Sequence, residues 1–301
     1  MSKVKQKILV YGITGMTGTR LAELLKSKFR IIGPPHSHLD LTNKSQVLKN
    51  IKDVAPDQII YLAGITKVDE AQQNKKLAFL LNAQVPESIA KISVKLNIPV
   101  NYISTDAVFD GRKKGKMYRE KDKTNPISVY GKSKLAGEKV ILAASKQNSV
   151  IRTIMIYSSY FPNRKDFARS ALEFLKNKRQ FSGIIDQIIN PTFVDDLVWA
   201  IAKIIEKRPG GIFHAAATDY TTNYDFVKKI AKAFKLDTSL ITKTTFAEFF
   251  QDKPAPRQKY SVLAVNKFVK EFGVGILHSI DKSVATFKKQ LLKLEDQPVD
   301  I

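Results

Sequence analysis

Lys7-Ile-Leu-Val-Tyr-Gly12-Ile-Thr-Gly15-Met-Thr-Gly18 decides the fold. A short apolar run with strand character meets glycines at positions 12, 15 and 18. An apolar periodicity through Leu21, Leu24 and Leu25 follows at once. The order is strand, tight turn, helix. Glycines in such a turn let the backbone approach a pyrophosphate, and the first turn of the helix offers free N–H groups and a partial positive charge. The spacing G-x-x-G-x-x-G differs from the G-x-G-x-x-G of many dehydrogenases. The strand before it and the helix after it are what make it a dinucleotide-binding turn. No Gly-Lys-Ser/Thr follows, which excludes a P-loop.

The alternation continues downstream. Strands are expected over 30–33 (closed by Pro34-Pro35), 58–62, 99–104 and 149–153, and helices over 44–53, 75–96 and 128–144, with Pro86 bending the second of these. Residues 106–127, rich in Gly, Lys and Asp, read as a long loop. Strands separated by helices give a parallel sheet covered on both faces, and right-handed crossovers make it a doubly wound, Rossmann-type α/β fold. The alternation becomes irregular near residue 155. Residues 1–155 are expected to form the NAD(P)-binding domain. Residues 156–301 are expected to form mainly a smaller, discontinuous α/β substrate-binding lobe, with about 184–215 returning to the first domain. Its helices are expected near 166–178, 194–207, 223–235 and 280–293, and a short strand over 212–215.

The reacting end is expected at Tyr130 and Lys134. At i and i+4 near the start of a helix, their side chains stack on one face. A free tyrosine has a pKa of about 10, and a neighbouring ammonium stabilises the phenolate and lowers it. The same Lys can bond a nicotinamide ribose. Ser104-Thr105-Asp106 ends the fourth strand, where the carboxyl edge of the sheet presents the Thr105 hydroxyl to a carbonyl oxygen undergoing reduction. The position after the second strand, where an NAD site usually carries an acid, reads Gly33-Pro34-Pro35-His36-Ser37-His38. The missing acid, the two His and the basic surface favour NADPH, with NADH as the alternative.

These residues together resemble the extended short-chain dehydrogenase/reductases, and within them the dTDP-4-dehydrorhamnose reductase group, nearly end to end. The matching segments are 63–69, Asn82, 104–111, 130–139, Ile151-Arg152-Thr153, Asp186-Gln187, Asn190-Pro191-Thr192 and Pro256-Arg257. The resemblance implies a cofactor site of Gly12, Thr14, Gly15, Met16, Thr17, Gly18, Asp40, Leu41, Ala63, Gly64, Thr66, Asn82, Ser104, Tyr130 and Lys134. In it Asp40 contacts the adenine and Asn82 helps organise a proton relay. It implies Thr105, Tyr130 and Lys134 as the catalytic set, and Thr105, Asp106, Ala107, Val108, Met155 and Arg257 against a nucleotide-diphosphate sugar, with Arg257 at the diphosphate. The implied reaction is reduction of the 4-keto group of a nucleotide-linked deoxysugar, within polysaccharide biosynthesis. Two positions depart from the group's pattern: Ala107 stands where it typically has Tyr, and Met155 where it typically has Trp. Asp106-Ala107 also lacks the Asp-Glu of the related dehydratases, which argues against dehydration. Two other readings of the resemblance remain: a non-catalytic NADP-binding regulatory subunit similar to that of methionine adenosyltransferase, and an NAD-dependent sugar-nucleotide epimerase.

Composition narrows the rest. At 301 residues with 44% hydrophobic content the chain can bury a full core. It has no cysteine, so disulfides and thiol chemistry are excluded. Its apolar stretches are too short for a signal peptide or membrane span, so a soluble cytoplasmic protein with no membrane partner is expected. Basic residues number 50 against 28 acidic, net +22. Only 10 of the 50 are Arg and the lysines are spread along the chain, with Lys113-Lys114-Gly115-Lys116 the densest patch. That reads as a solvated Lys surface able to gather an anionic small substrate, and a nucleic-acid partner, supported by charge alone, is not expected. The four His lack helical metal spacing, and no metal is expected. Asp195-Asp196 reads as helix capping, and Trp199, Phe246, Phe249 and Phe250 as core. A homodimer is left open.

Overall fold

The computed structural model describes residues 4–35, 37–160 and 166–295. His36, one of the two His weighed for cofactor preference, lies outside the described residues.

Five strands follow the expected alternation: β1 (Lys7–Tyr11), β2 (Arg30–Ile32), β3 (Gln58–Tyr61), β4 (Val100–Thr105) and β5 (Ser149–Thr153). The Gly211–His214 strand joins them from far along the chain, and the sheet runs β2-β1-β3-β4-β5 with Gly211–His214 at the edge. All its pairings are parallel. Such a sheet must be covered on both faces, which is why β3 and β4 are buried along their whole lengths. One face carries Ile8, Val10, Ile60 and Ile151 against Leu21, Leu25 and the Val194–Lys207 helix. The other carries Leu9, Tyr61 and Tyr102 against Val47, Ile51 and Ile89. β2 and β3 flank β1 on opposite sides, so the chain reverses direction across the sheet at β1. Ligands of open α/β sheets bind at this crevice, at the carboxyl ends of the strands.

The stretch over 75–96 is helical, but not one regular helix. Lys75–Phe79 and Val85–Lys95 are α-helical, and Leu80–Gln84 between them is a π-turn. Pro86 is the cause: it has no N–H for the carbonyl of Asn82, four residues back, and its ring crowds that oxygen. Tyrosines of the sheet take up the loosened carbonyls. Tyr102 Oη donates to Asn82 O at 2.7 Å and Tyr61 Oη to Leu81 O at 2.6 Å. A further helix, Val68–Gln73, was not anticipated from the sequence.

Beyond β5 the chain builds a small sheet in the order Thr221–Thr222, Ile188–Ile189, Tyr260–Ser261. A two-stranded piece pairs Phe181–Ile184 with Ile241–Thr244. Between these, the Val194–Lys207 helix packs back on α1 (Met16–Leu25). Three sequence expectations fail here. Trp199 is 36% exposed, on the outer face of its helix, with Lys28 Nζ 5.6 Å above its ring. Asp195 and Asp196 do not cap the helix, whose N-cap Phe193 makes no side-chain bond. Instead Arg20 grips Asp195 with two bonds of 2.5 and 2.7 Å, and His278 Nδ1 lies 2.8 Å from Asp196. Phe246, Phe249 and Phe250 form a short helix with no buried residue, because that helix edges a cavity.

Candidate active site

The turn after β1 is shaped by its glycines. Gly12 has φ +90°, and a Cβ there would sit 2.7 Å from Ala63 N on the neighbouring strand end. A Cβ on Gly18 would sit 2.3 Å from Gly12 O and 2.6 Å from Ile13 Cα, so only glycine lets α1 start against the turn. Gly15 caps α1 without a side-chain bond, and the first turn of that helix holds no acid. Its free N–H groups therefore face a cavity of about 1390 Å³ along the carboxyl edge of the sheet.

That cavity is lined by Gly12, Thr14, Gly15, Met16, Thr17 and Gly18 at one end, with Asp40 and Leu41 beyond them and Ala63, Gly64 and Thr66 from the segment after β3. Ser104, Thr105, Asp106 and Ala107 enter from the end of β4, Tyr130 and Lys134 from the Val129–Ala144 helix, Met155 from the segment just after β5, and Arg257 from just before the Tyr260–Ser261 strand. Two sequence-named residues do not reach it. Val108 is fully buried in the main core, pointing away from the cavity, so it is not placed to touch a substrate. Asn82 is also fully buried, behind Gly64, whose added Cβ would meet Asn82 Oδ1 at 2.1 Å. It donates to Ile65 O at 3.1 Å and Ser133 Oγ at 2.9 Å, tying the segment after β3 to the Val129–Ala144 helix.

Ser128 caps the Val129–Ala144 helix, accepting from Gly131 N at 3.1 Å. Gly131 is needed where the helix meets the turn after β4 (Asp106–Val108), since a Cβ there would lie 2.0 Å from Ala107 O. One turn on, Lys134 is 5% exposed; its Nζ donates to Ile103 O at 2.6 Å and lies 4.0 Å from the centre of the Tyr102 ring. Burial depresses its pKa to about 7, against an opposing pull from the Glu138 carboxylate. Another turn on, Glu138 accepts Ser104 Oγ and both forks of Arg152. Thr105 Oγ1 donates to Asp106 Oδ1 at 2.9 Å, and the other Asp106 oxygen accepts the Ser261 hydroxyl. Burial raises the Asp106 pKa despite these two hydroxyls.

Arg257 is held at the wall, with Nη2 2.8 Å from Asp69 Oδ2 and Nη1 on Ala255 O at 2.8 Å. Its guanidinium lies 5.7 Å from the centre of the Phe250 ring. Sequence reasoning named Gln187 only within a matching segment, placed Phe249 and Phe250 in the core, and missed the wall residues Ile189, Asn223, Gln258 and Ser261. The Asp186-Gln187 and Pro256-Arg257 segments flagged part of this wall, but Phe249 and Phe250 carry no local signal separating a cavity lip from a core. Arg257 shows why such a group can point either way. A surface ion pair and a substrate contact use the same side chain, and only the fold decides which faces the cavity.

The arrangement can hold a dinucleotide and bring a second molecule against Thr105, Tyr130 and Lys134. The acid-free first turn of α1 suits a pyrophosphate, and the glycines at 12 and 18 let the turn pack closely enough on Ala63 and on itself to present that helix end to the cavity. Among the described residues no cluster of His, Cys, Asp and Glu could hold a metal, and no helix is long and apolar enough to cross a membrane.

Comparison with known proteins agrees with this geometry. The family described as RmlD substrate binding domain matches residues 6–292. A dTDP-4-dehydrorhamnose reductase of Aggregatibacter actinomycetemcomitans is 31% identical over 281 residues, covering 89% of this chain and 94% of that protein. A spore coat polysaccharide biosynthesis protein of Bacillus subtilis is 30% identical, covering 90% and 93%. The crystal structure of dTDP-4-dehydrorhamnose reductase from Bacillus anthracis in complex with NADP superposes with a TM-score of 0.89 at 30% identity, covering 95% of this chain and all of that one.

Proposed function

The chain belongs to the RmlD substrate-binding-domain family of extended short-chain dehydrogenase/reductases, and from that premise we propose that it is an NADP-dependent reductase of the 4-keto group of a dTDP-linked 6-deoxysugar of the dehydrorhamnose type. One observation carries the reading: Thr105, Tyr130 and Lys134 share a single cavity with the glycine turn. When bound, NADPH supplies a hydride to the carbonyl carbon.

The protein's own part is positional and acid–base. The glycine turn and the first turn of α1 bind the pyrophosphate. Tyr130 gives its phenolic proton to the carbonyl oxygen, and the Thr105 hydroxyl, turning its proton from Asp106 Oδ1 to that oxygen, orients it by hydrogen bonding. Lys134, in the protonated form that prevails below its pKa of about 7, eases the negative charge left on the phenolate and contacts the ribose. Arg257 meets the substrate diphosphate, exchanging part of its bond to Asp69 for the phosphates. Residues 1–155 with the returning 184–215 segment form the cofactor domain in this reading, and the rest of the second lobe forms the sugar-nucleotide lid. We take the cytoplasm, where nicotinamide dinucleotides are kept reduced, as its place of work.

The test is NADPH oxidation, followed at 340 nm, against a panel of 4-keto-6-deoxy nucleotide sugars. Turnover is expected with the dTDP-linked member, with Tyr130→Phe reducing kcat by about 10²–10⁴ at near-constant NADPH affinity. Tight NADPH binding with no turnover across the panel overturns the reading in favour of a cofactor-binding regulatory protein.

A further inference from the structure

A second cavity of about 1300 Å³ shares no lining residue with the first. The small sheet is the partition between them. Side chains alternate across a strand, so Ile189 and Ser261 face the first cavity, and their neighbours Ile188 and Tyr260 face the second. The loop carrying the densest run of lysines closes the far side. It is fastened to the partition by a parallel bridge between Tyr118 and Leu263.

The lining holds six basic residues against two acidic ones. Both carboxylates are already committed. Asp122 accepts Lys113 Nζ and Arg119 N, each at 2.6 Å, and Glu120 turns inward to accept His214 N at 3.1 Å. Lys267 is likewise spent, donating to Ile212 O at 2.6 Å. Lys116, Arg119, Lys121 and Lys270 have no ion-pair partner among the described residues. Asp122 offsets part of the Lys113 and Arg119 charge, but six cations against two carboxylates leave an excess of positive charge in one concave space, which is relieved when an anion enters. The floor is apolar and aromatic: Tyr220 is 56% exposed and Met117 43%, with Tyr260 beside them. Exposed rings beside unpaired cations suit a flat aromatic group that carries phosphates.

We propose that this second cavity, walled by Tyr220, Tyr260, Lys116, Arg119 and Lys270, binds a nucleoside diphosphate or triphosphate independently of the first cavity. The base lies on the tyrosine rings, and the phosphates lie against Lys116, Arg119 and Lys270. A concave site closed by the loop fits one nucleotide; a polymer would need the basic surface to continue as a groove. The proposal does not depend on the reductase reading, because nothing in the second cavity touches Thr105, Tyr130 or Lys134.

Equilibrium dialysis of labelled ADP against the full chain tests it, with saturating NADPH present to fill the dinucleotide site. ADP binding that persists under NADPH is expected. It should weaken at least tenfold in Lys116→Glu/Arg119→Glu and change less than twofold in Lys95→Glu/Lys139→Glu, which makes the same charge change elsewhere on the surface. Tyr220→Ala should weaken ADP while leaving inorganic pyrophosphate unchanged. Circular dichroism and NADPH affinity confirm that each variant is folded. Loss of all ADP binding under NADPH overturns the proposal, as does equal weakening in the two double variants. Tighter retention of a single-stranded DNA oligomer than of ADP, lost in the same Lys116/Arg119 variant, overturns it in favour of a nucleic-acid surface.

Discussion

Arg152 and Glu138 form a buried two-pronged ion pair beneath the site, Nε to Oε1 at 2.9 Å and Nη2 to Oε2 at 2.6 Å, with both side chains 2% exposed. Arg152 comes from β5 and Glu138 from the helix that carries Tyr130 and Lys134, so the pair fixes that helix against the sheet. Ser104, the residue before Thr105, donates to the same carboxylate. The orientation of the Val129–Ala144 helix and the end of β4 are therefore tied at one point.

Breaking that pair leaves an uncompensated buried charge. Glu138→Gln should cost about 3–5 kcal/mol in chemical unfolding. Because the tie holds Lys134 and Thr105 in register, kcat should fall in the protein that remains folded. A loss under about 1 kcal/mol in urea titration would show that the pair contributes little beyond packing.

Lys134 should give the free enzyme a pH dependence near neutrality. Its folded pKa, about 7, lies below the ordinary lysine value of 10.5, so the unfolded chain binds more protons between those two values. Its contribution to stability therefore improves as pH rises from about 7 towards 10.5, while its charge at the site is lost as pH passes through about 7. Reductive kcat/KM should fall above pH 7, and Lys134→Met should flatten both profiles. Urea titrations and initial rates from pH 6 to 10 would check this.

His214 is fully buried, and burial together with the Arg152 charge depresses its pKa to about 3. Its Nδ1 lies 3.2 Å from Ala264 O, while its Nε2 has no partner. The unfolded chain takes up this proton at about 6.5, so the contribution is present above that pH and is lost as pH falls towards 3. His214→Phe should lower the slope of stability against pH between 6 and 4, read from midpoints of denaturant unfolding. An unchanged slope would place the acid sensitivity elsewhere.

Gly18→Ala should raise the NADPH Kd at least tenfold, because the added carbon would lie 2.3 Å from Gly12 O and must push the pyrophosphate turn open. Gly115→Ala is the contrast. Gly115 also has no side chain, but an added Cβ meets nothing within 4 Å; its φ of +68° still makes it strained. Its cost should be modest stability, with NADPH affinity unchanged. Isothermal titration of both variants separates the two effects.

The glycine turn, the strand–helix alternation and the Tyr130–Lys134 spacing were all legible in the sequence. Each is a local pattern: a tight turn needs glycine, a buried parallel strand needs an apolar run, and two residues four apart on a helix share a face. The resemblance of segments such as 104–111 and 130–139 extended that reading to the family.

What the chain does at long range was not legible. Nothing local separates Phe249, at the lip of the cavity, from Phe213, in the core, since both are phenylalanines in mixed surroundings. Trp199 looked like packing because its neighbours are apolar, yet helical rotation puts it on the outer face. Asp195 and Asp196 looked like caps until Arg20 and His278 arrived from 175 and 82 residues away. Val108 adjoins three cavity residues but turns into the core. Sequence alone determined most of the elements of the main sheet and which turn suits a dinucleotide, because hydrogen bonding and hydrophobic periodicity act within a few residues. Only the tertiary structure decided which faces meet across the cavity, because a side chain's partner there is set by packing between segments that are distant in the chain.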